Sequence, residues 1–299
     1  MATLYTQQYS NVRKTWLLMT VFLIVLIGIG WIFSYEFSDP YILVIFAVIA
    51  IVMNIIAYWK SDSIALNSAR AIPADPVQYL ELHQVVENLA ITAGLPKPRV
   101  YIIPDPSPNA FATGRDKNHA AIAVTTGLLG MMTRTELEGV IAHEMSHIGN
   151  RDILLSTVVV VLVGLIALAS NFFLRGMMFG GGRGRGGGNN DAGIIFLILG
   201  IIGVILAPIV ATIIQLAISR KREYLADASG ALLTRYPEGL ASALQKIENY
   251  NKQMLHPSTA TAHLFISNPF GAKSNFMSKL FATHPPTADR IRALVGNAQ

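Results

Sequence analysis

The sequence predicts a mainly α-helical chain with a small β-sheet (class α+β), in which four transmembrane helices carry a domain outside the bilayer. Three observations lead there. Of the 299 residues, 52% are hydrophobic and only 14% are charged, whereas a soluble domain carries about 25% charged residues. The mean hydropathy is +0.46, and the apolar excess sits in a few long runs rather than being spread evenly. Between and after those runs the polarity is ordinary, with helical periodicities and two short strand-like stretches.

A helix needs about 20 mostly apolar residues to cross a bilayer. Residues 15–33, 41–59, 153–174 and 193–218 qualify, and none has an ionisable residue in its interior. Asn54, Asn171 and Gln215 lie near the ends. The first run is longer than the apolar core of a signal peptide and no small-x-small site follows it, so it reads as a retained anchor. Basic residues set the orientation. Arg13 and Lys14 precede run one, Lys60 follows run two, Arg151 precedes run three, and Arg220, Lys221 and Arg222 follow run four. Four crossings put all of these on one side, the cytoplasmic one. Residues 175–192 disagree: Arg175, Arg183 and Arg185 would lie outside, in a Gly-rich stretch that reads as a flexible linker.

The soluble parts follow from local signals. Asp75 and Pro76 look like an N-cap and first helical residue. Val77, Leu80, Gln84, Leu82, Val85, Val86 and Leu89 supply a helical face that Gly94 and Pro96 end. Arg99–Ile103 and Ala120–Thr125 read as strands. Thr133 and Glu136 form a capping box that opens the next helix. Helices are expected at 220–233, at 237–254 and, short, at 289–295. The resulting organisation is a two-helix anchor (1–60), a first soluble part (61–152), a membrane hairpin (153–218) and a second soluble part (219–299).

The chemistry sits on the capped helix. His143-Glu144-Met145-Ser146-His147 has two His at i and i+4, which share one helix face and can reach one ion. Glu144 lies beside them, where it can act as general base towards water at the metal. The chain has no cysteine, so any metal must be held by His, Asp or Glu. A catalytic zinc takes three protein ligands and keeps one open position. Glu223, just after run four, is the expected third ligand, and Asp227, one turn on, the carboxylate that orients a ligating imidazole. Taken alone, that Glu–Asp pair reads more readily as a solvated, charged helix start flanking a membrane span. Two antiparallel crossings between His147 and Glu223 would return the chain to one bilayer surface, so the topology and the metal chemistry require the same arrangement.

These residues resemble the HtpX-type heat-shock membrane proteases and, more widely, the gluzincin family that includes the CAAX prenyl endopeptidases. The resemblance extends to Asn109-Ala-Phe-Ala-Thr-Gly114 ahead of the metal helix and to Thr283-His-Pro-Pro286 followed by Arg290-Ile291. It implies a zincin-like metalloprotease domain at the cytoplasmic face of a bacterial inner membrane. It also implies one Zn²⁺ per chain, and polypeptide substrates, above all damaged or misfolded membrane proteins under stress. His284 is a candidate donor to the oxyanion, or simply a turn residue before two prolines. Residues 109–114 are either an edge strand for substrate or a tight turn. The other four histidines, His83, His119, His256 and His263, read as surface residues.

The alternative is a zinc-organised membrane scaffold or chaperone without proteolysis. It is disfavoured by Glu144, since a structural zinc site is usually closed by a fourth ligand. A transporter is disfavoured by spans without charge. Lipid is an expected partner, nucleic acid is not, and homo-oligomerisation is left open. The Arg/Gly-rich stretch matches no function that the resemblance supplies.

Overall fold

The computed structural model describes residues 4–162, 220–250, 252–258, 260–271 and 285–296. Most of the third and fourth expected spans, the Arg/Gly-rich stretch and His284 lie outside the described residues.

Helix α1 (Leu4–Glu36) begins well before the apolar run and α2 (Pro40–Trp59) matches its run closely. Both are long and apolar enough to cross a membrane. At 1.5 Å per residue α1 is about 50 Å long, well over the roughly 30 Å of a hydrocarbon core. Between them, Ser38 takes a left-handed φ of 51°, Asp39 caps α2 by accepting from the Tyr41 N–H, and Pro40 fills the first helical position. The helices approach closely where Gly30 faces Phe46, since a Cβ there would overlap the Phe46 side chain.

After α3 (Ser61–Ser68), four strands form a mixed sheet: β1 (Ile72–Pro73), β2 (Arg99–Ile103), β3 (Ala110–Gly114) and β4 (Ala120–Thr125), in the order β1-β2-β4-β3. β2 runs parallel to β4 in the register Arg99↔Ala121 to Ile103↔Thr125, whereas β3 and β4 are antiparallel. Both faces are covered, which is why β3 and β4 are buried along their whole length and read as unbroken apolar runs. One face packs Ile102, Ile122 and Val124 against α4 (Leu80–Ala93) and α6 (Arg134–Gly149). The other packs Phe111, Ala121 and Ala123 against Leu66, Val160 and Phe265. β3 is an edge strand, so the turn alternative for residues 109–114 gives way. Its outer side is partly engaged, because Ala110 O accepts from the Ile266 N–H at 3.0 Å.

Several expectations shift. Asp75 does cap, accepting from the Val77 and Gln78 N–H groups, but the regular helix begins only at Leu80. Its inner face is Leu82, Val85, Val86 and Leu89, while Val77 and Leu80 are 86% and 55% exposed. Leu80 sits on the opposite side of the helical wheel from the buried set, and Val77 lies in the turn before the helix starts. The helix expected to reach residue 254 ends at Tyr250, and Met254 instead donates its N–H to Pro269 O. His263 is buried rather than on the surface, with Nε2 2.9 Å from Ser156 O. Its immediate neighbours Ala262 and Leu264 carry that turn inward.

A short helix α5 (Thr126–Met131) leads to α6, and beyond α6 the chain turns by 86° into α7 (Asp152–Leu162). α7 lies against α1, with Leu154, Leu155 and Val158 packed on Leu18, Met19 and Phe22. The second half supplies α8 (Arg220–Thr234), α9 (Pro237–Tyr250) and α10 (Thr287–Val295). Leu240, Leu244 and Ile247 of α9 join Leu137, Val140 and Ile141 of α6 in one core. The two soluble parts therefore fold together, although the whole of 163–219 separates them in sequence.

Candidate metal centre

Helix α6 starts from its capping box: Glu136 accepts the Thr133 N–H at 2.8 Å, and Thr133 Oγ1 accepts the Glu136 N–H at 3.4 Å. Ser242 and Lys246 of α9 clamp the same carboxylate at 2.6 and 2.7 Å. Burial opposes its charge, but these donors outweigh that and lower the Glu136 pKa to about 2. The start of the metal helix is thus fixed to a neighbouring helix by charge as well as by packing.

Helix α8 meets α6 through Gly230, where a Cβ would stand 3.0 Å from His143 N. Glu223, Asp227 and Gly230 are spaced i, i+4, i+7, so one helix face carries both carboxylates and the point of close approach. As a result His143, His147 and Glu223 come together, with one ligand-type atom of each within 4.8 Å of the others. Glu223 Oε2 is 3.8 Å from His143 Nε2, and Oε1 is 3.8 Å from His147 Nε2. Glu144, in the next helical position, is buried at 1% exposure.

The protons of the imidazoles decide what the group can hold. His143 Nδ1 is 2.9 Å from Asp227 Oδ1, and His147 Nδ1 is 3.1 Å from Asp152 Oδ2. An ionised carboxylate only accepts, so each Nδ1 carries the proton and each Nε2 presents a lone pair. The two Nε2 atoms face each other at 3.2 Å, a spacing that one proton bridges as a hydrogen bond or a metal ion bridges through both lone pairs. Ligands about 2.0–2.1 Å from a tetrahedral zinc lie about 3.3–3.4 Å apart, close to this spacing. The field has the matching sign. Burial opposes charge on His147, yet the Asp152 hydrogen bond, Glu223 and Glu144 raise its pKa to about 9. Surroundings that favour an imidazolium also favour a divalent cation. The residues fit a zinc ion.

Asp227, which stands against His143 Nδ1, has a further partner of its own. Arg290 of α10 grips it with both prongs, Nε to Oδ2 at 2.9 Å and Nη2 to Oδ1 at 2.7 Å. Burial opposes the charge on Asp227, but Arg290 and His143 hold its carboxyl down at about 2. Sequence reasoning missed two residues that support the ligands. Asp152 lies beyond the helix end, brought back to His147 by Arg151 in the left-handed region at φ 57°. Arg290 stands in the C-terminal signature as a motif letter with no indication of its partner; a cationic residue on a short amphipathic helix is ordinarily solvated. His284 lies outside the described residues.

A His pair on one helix, a carboxylate from a second and a buried Glu alongside make up the donor set of a metallohydrolase. Residues 76–298 match the profile of peptidase family M48. The chain is 55% identical over 294 residues to the "Protease HtpX homolog" of Caldanaerobacter subterraneus subsp. tengcongensis, covering 98% of this chain and 97% of that protein. It is 49% identical over 284 residues to the "Protease HtpX homolog" of Pyrococcus furiosus, covering 94% of each. The crystal structure of S. mikatae Ste24p resembles it in fold, with a TM-score of 0.51 and 19% identity over 93% of this chain and 62% of that one. The chain belongs to peptidase family M48 and stands among its HtpX-type proteases. It is a membrane-associated metalloprotease acting on polypeptides.

Proposed function

We propose that the chain is a zinc-dependent endopeptidase in which His143, His147 and Glu223 hold the ion and Glu144 is the general base. The opposed Nε2 atoms, each with its Nδ1 proton committed to a carboxylate, are the observation that supports this most strongly. When bound, the ion supplies Lewis acidity that makes water acidic enough to ionise near neutral pH. The remaining steps belong to the side chains. Glu144 takes a proton from the attacking water, whose oxygen bonds to the scissile carbonyl carbon. The C–N bond then breaks and Glu144 returns the proton to the leaving nitrogen. Asp227 and Asp152 hold the imidazole tautomers throughout, and Arg290 keeps Asp227 ionised. His284 as an oxyanion donor remains part of this proposal.

The proposed setting is a four-span inner-membrane protein with its site at the cytoplasmic face. The hairpin 153–218 would connect the two soluble parts, 61–152 and 219–299, and the substrates would be damaged membrane proteins. In support, the N-terminal end of α1, near the basic Arg13 and Lys14, touches the metal helix: Gln8 donates to Gly149 O at 2.6 Å. The site therefore stands on the basic side of the first span. Casein cleavage by purified, detergent-solubilised protein tests the chemistry. Glu144→Gln is expected to retain zinc while cleavage falls by about 10²–10⁴-fold, the usual worth of a general base. Cleavage at the wild-type rate by that variant would refute the role given to Glu144.

A further inference from the structure

Helix α1 does more than hold the chain in the membrane. Asn11, two turns into α1, is fully buried at 0% exposure. Burying an amide is costly unless both of its ends are paired. Here they are. Its Nδ2 donates to Asp152 Oδ1 and, at 3.3 Å, to Asn150 O, and its Oδ1 accepts from Arg222 Nη1 at 3.4 Å. Asp152 is thereby held at both oxygens, with Oδ1 on Asn11 and Oδ2 on the His147 ring. The other cation near Oδ1, Arg222 Nε, stands at 3.6 Å, beyond good hydrogen-bond range. Asn11 is thus the tight donor to that oxygen among the described residues. Docking alone does not call for this polar knot, because Leu18, Met19 and Phe22 already pack α1 on α7. Arg222 extends the knot to α8, one residue before Glu223.

We infer that Asn11 is a positioning residue for the metal centre. Acting through Asp152, the first membrane helix fixes the tautomer and aim of His147, so the anchor completes the site. This rests on the zinc reading given above. It makes metal affinity depend on a residue in α1 that touches neither the ion nor substrate.

The full-length protein in detergent provides the test, with zinc affinity measured by chelator competition and ligand geometry by the visible spectrum of the Co²⁺-loaded form. Partners of ligating His residues are worth about 10–100-fold in metal affinity, so Asn11→Leu is expected to weaken zinc about tenfold and alter the Co²⁺ bands. Asn11→Ala, which adds no branched bulk, should do the same if the leucine variant fails to fold. Gln8→Ala removes another polar tie of α1 among the described residues without touching Asp152 and should leave zinc affinity within about twofold. Wild-type affinity in both Asn11 variants, or an equal loss in Gln8→Ala, overturns the inference while leaving the zinc site standing. A wild type that binds no zinc overturns the site reading and this inference with it.

Discussion

At the scale of single residues, the centre is organised by where protons sit. Among the described residues four carboxylates surround two imidazoles, in three different positions. Glu223 faces the Nε2 atoms, Asp227 and Asp152 accept hydrogen bonds from Nδ1–H of His143 and His147 respectively, and Glu144 stands next to the pair. Arg290, beside Asp227, and Arg222, near Asp152, supply counter-charge that keeps this acidic cluster from being purely self-repelling. Arg290 is nearly inaccessible, and so is Asp227, each with a side chain 2% exposed. Removing one partner of such a buried pair strands the other, at a cost of about 3–5 kcal/mol. Arg290→Met is therefore expected to lower thermal stability markedly and to weaken metal binding about tenfold or more. Asp227→Asn in the same background should recover part of the stability, since it removes the stranded charge. Unfolding measured by calorimetry on the three proteins checks this, and full stability in Arg290→Met alone would contradict it.

At the scale of elements, α6 and α8 carry the candidate ligands while α7 and α10 bring Asp152 and Arg290 to them, and these helices are legible in the sequence to different degrees. Helix α6 is readable in full, since its capping box, apolar spacing and His-Glu-x-x-His pattern are all local. α8 is readable as a helix with an i, i+4 acid pair, but its contact with α6 depends on Gly230, whose lack of a side chain is meaningful only once the neighbouring backbone is known. Asp152 and Arg290 are not readable as site residues, because the first depends on the left-handed turn at Arg151 and the second on a contact 63 residues away, neither of which a periodicity encodes. The same holds for Val77 and Leu80, apolar residues of which the first precedes the helix and the second faces outward from it. The clamp between α6 and α9 yields a pH prediction. Glu136 has a folded pKa depressed to about 2 from an ordinary 4.5, so its stabilisation is complete above about pH 4.5 and is lost as pH falls towards 2. That contribution is on the order of 2–3 kcal/mol. Glu136→Gln should accordingly be less stable than wild type at pH 7, with the difference shrinking between about pH 5 and 2. A gap that stays constant over that window would contradict the clamp.

At the scale of the whole molecule, membrane topology and metal chemistry demand the same arrangement of the chain. The described residues carry one half of that correspondence, the meeting of the two soluble parts in one core and around one site. The two crossings between them remain the proposal. Because the chain has no cysteine, single introduced cysteines report sidedness directly. Lys117→Cys and Gln245→Cys, both at exposed positions in the two soluble parts, are expected to react with an impermeant thiol reagent from the same face of the membrane. Tyr35→Cys, 79% exposed at the far end of α1, should react from the opposite face. Labelling of positions 117 and 245 from opposite faces would break the topology.

All of this depends on one ion joining α6 to α8, and metal analysis of the purified wild type beside Glu223→Ala tests that most directly. The expected result is about one zinc per wild-type chain. The variant should lose most of its zinc while keeping its helical content, since Glu223 lies in the first turn of α8. Equal, stoichiometric zinc in both proteins would contradict the assignment.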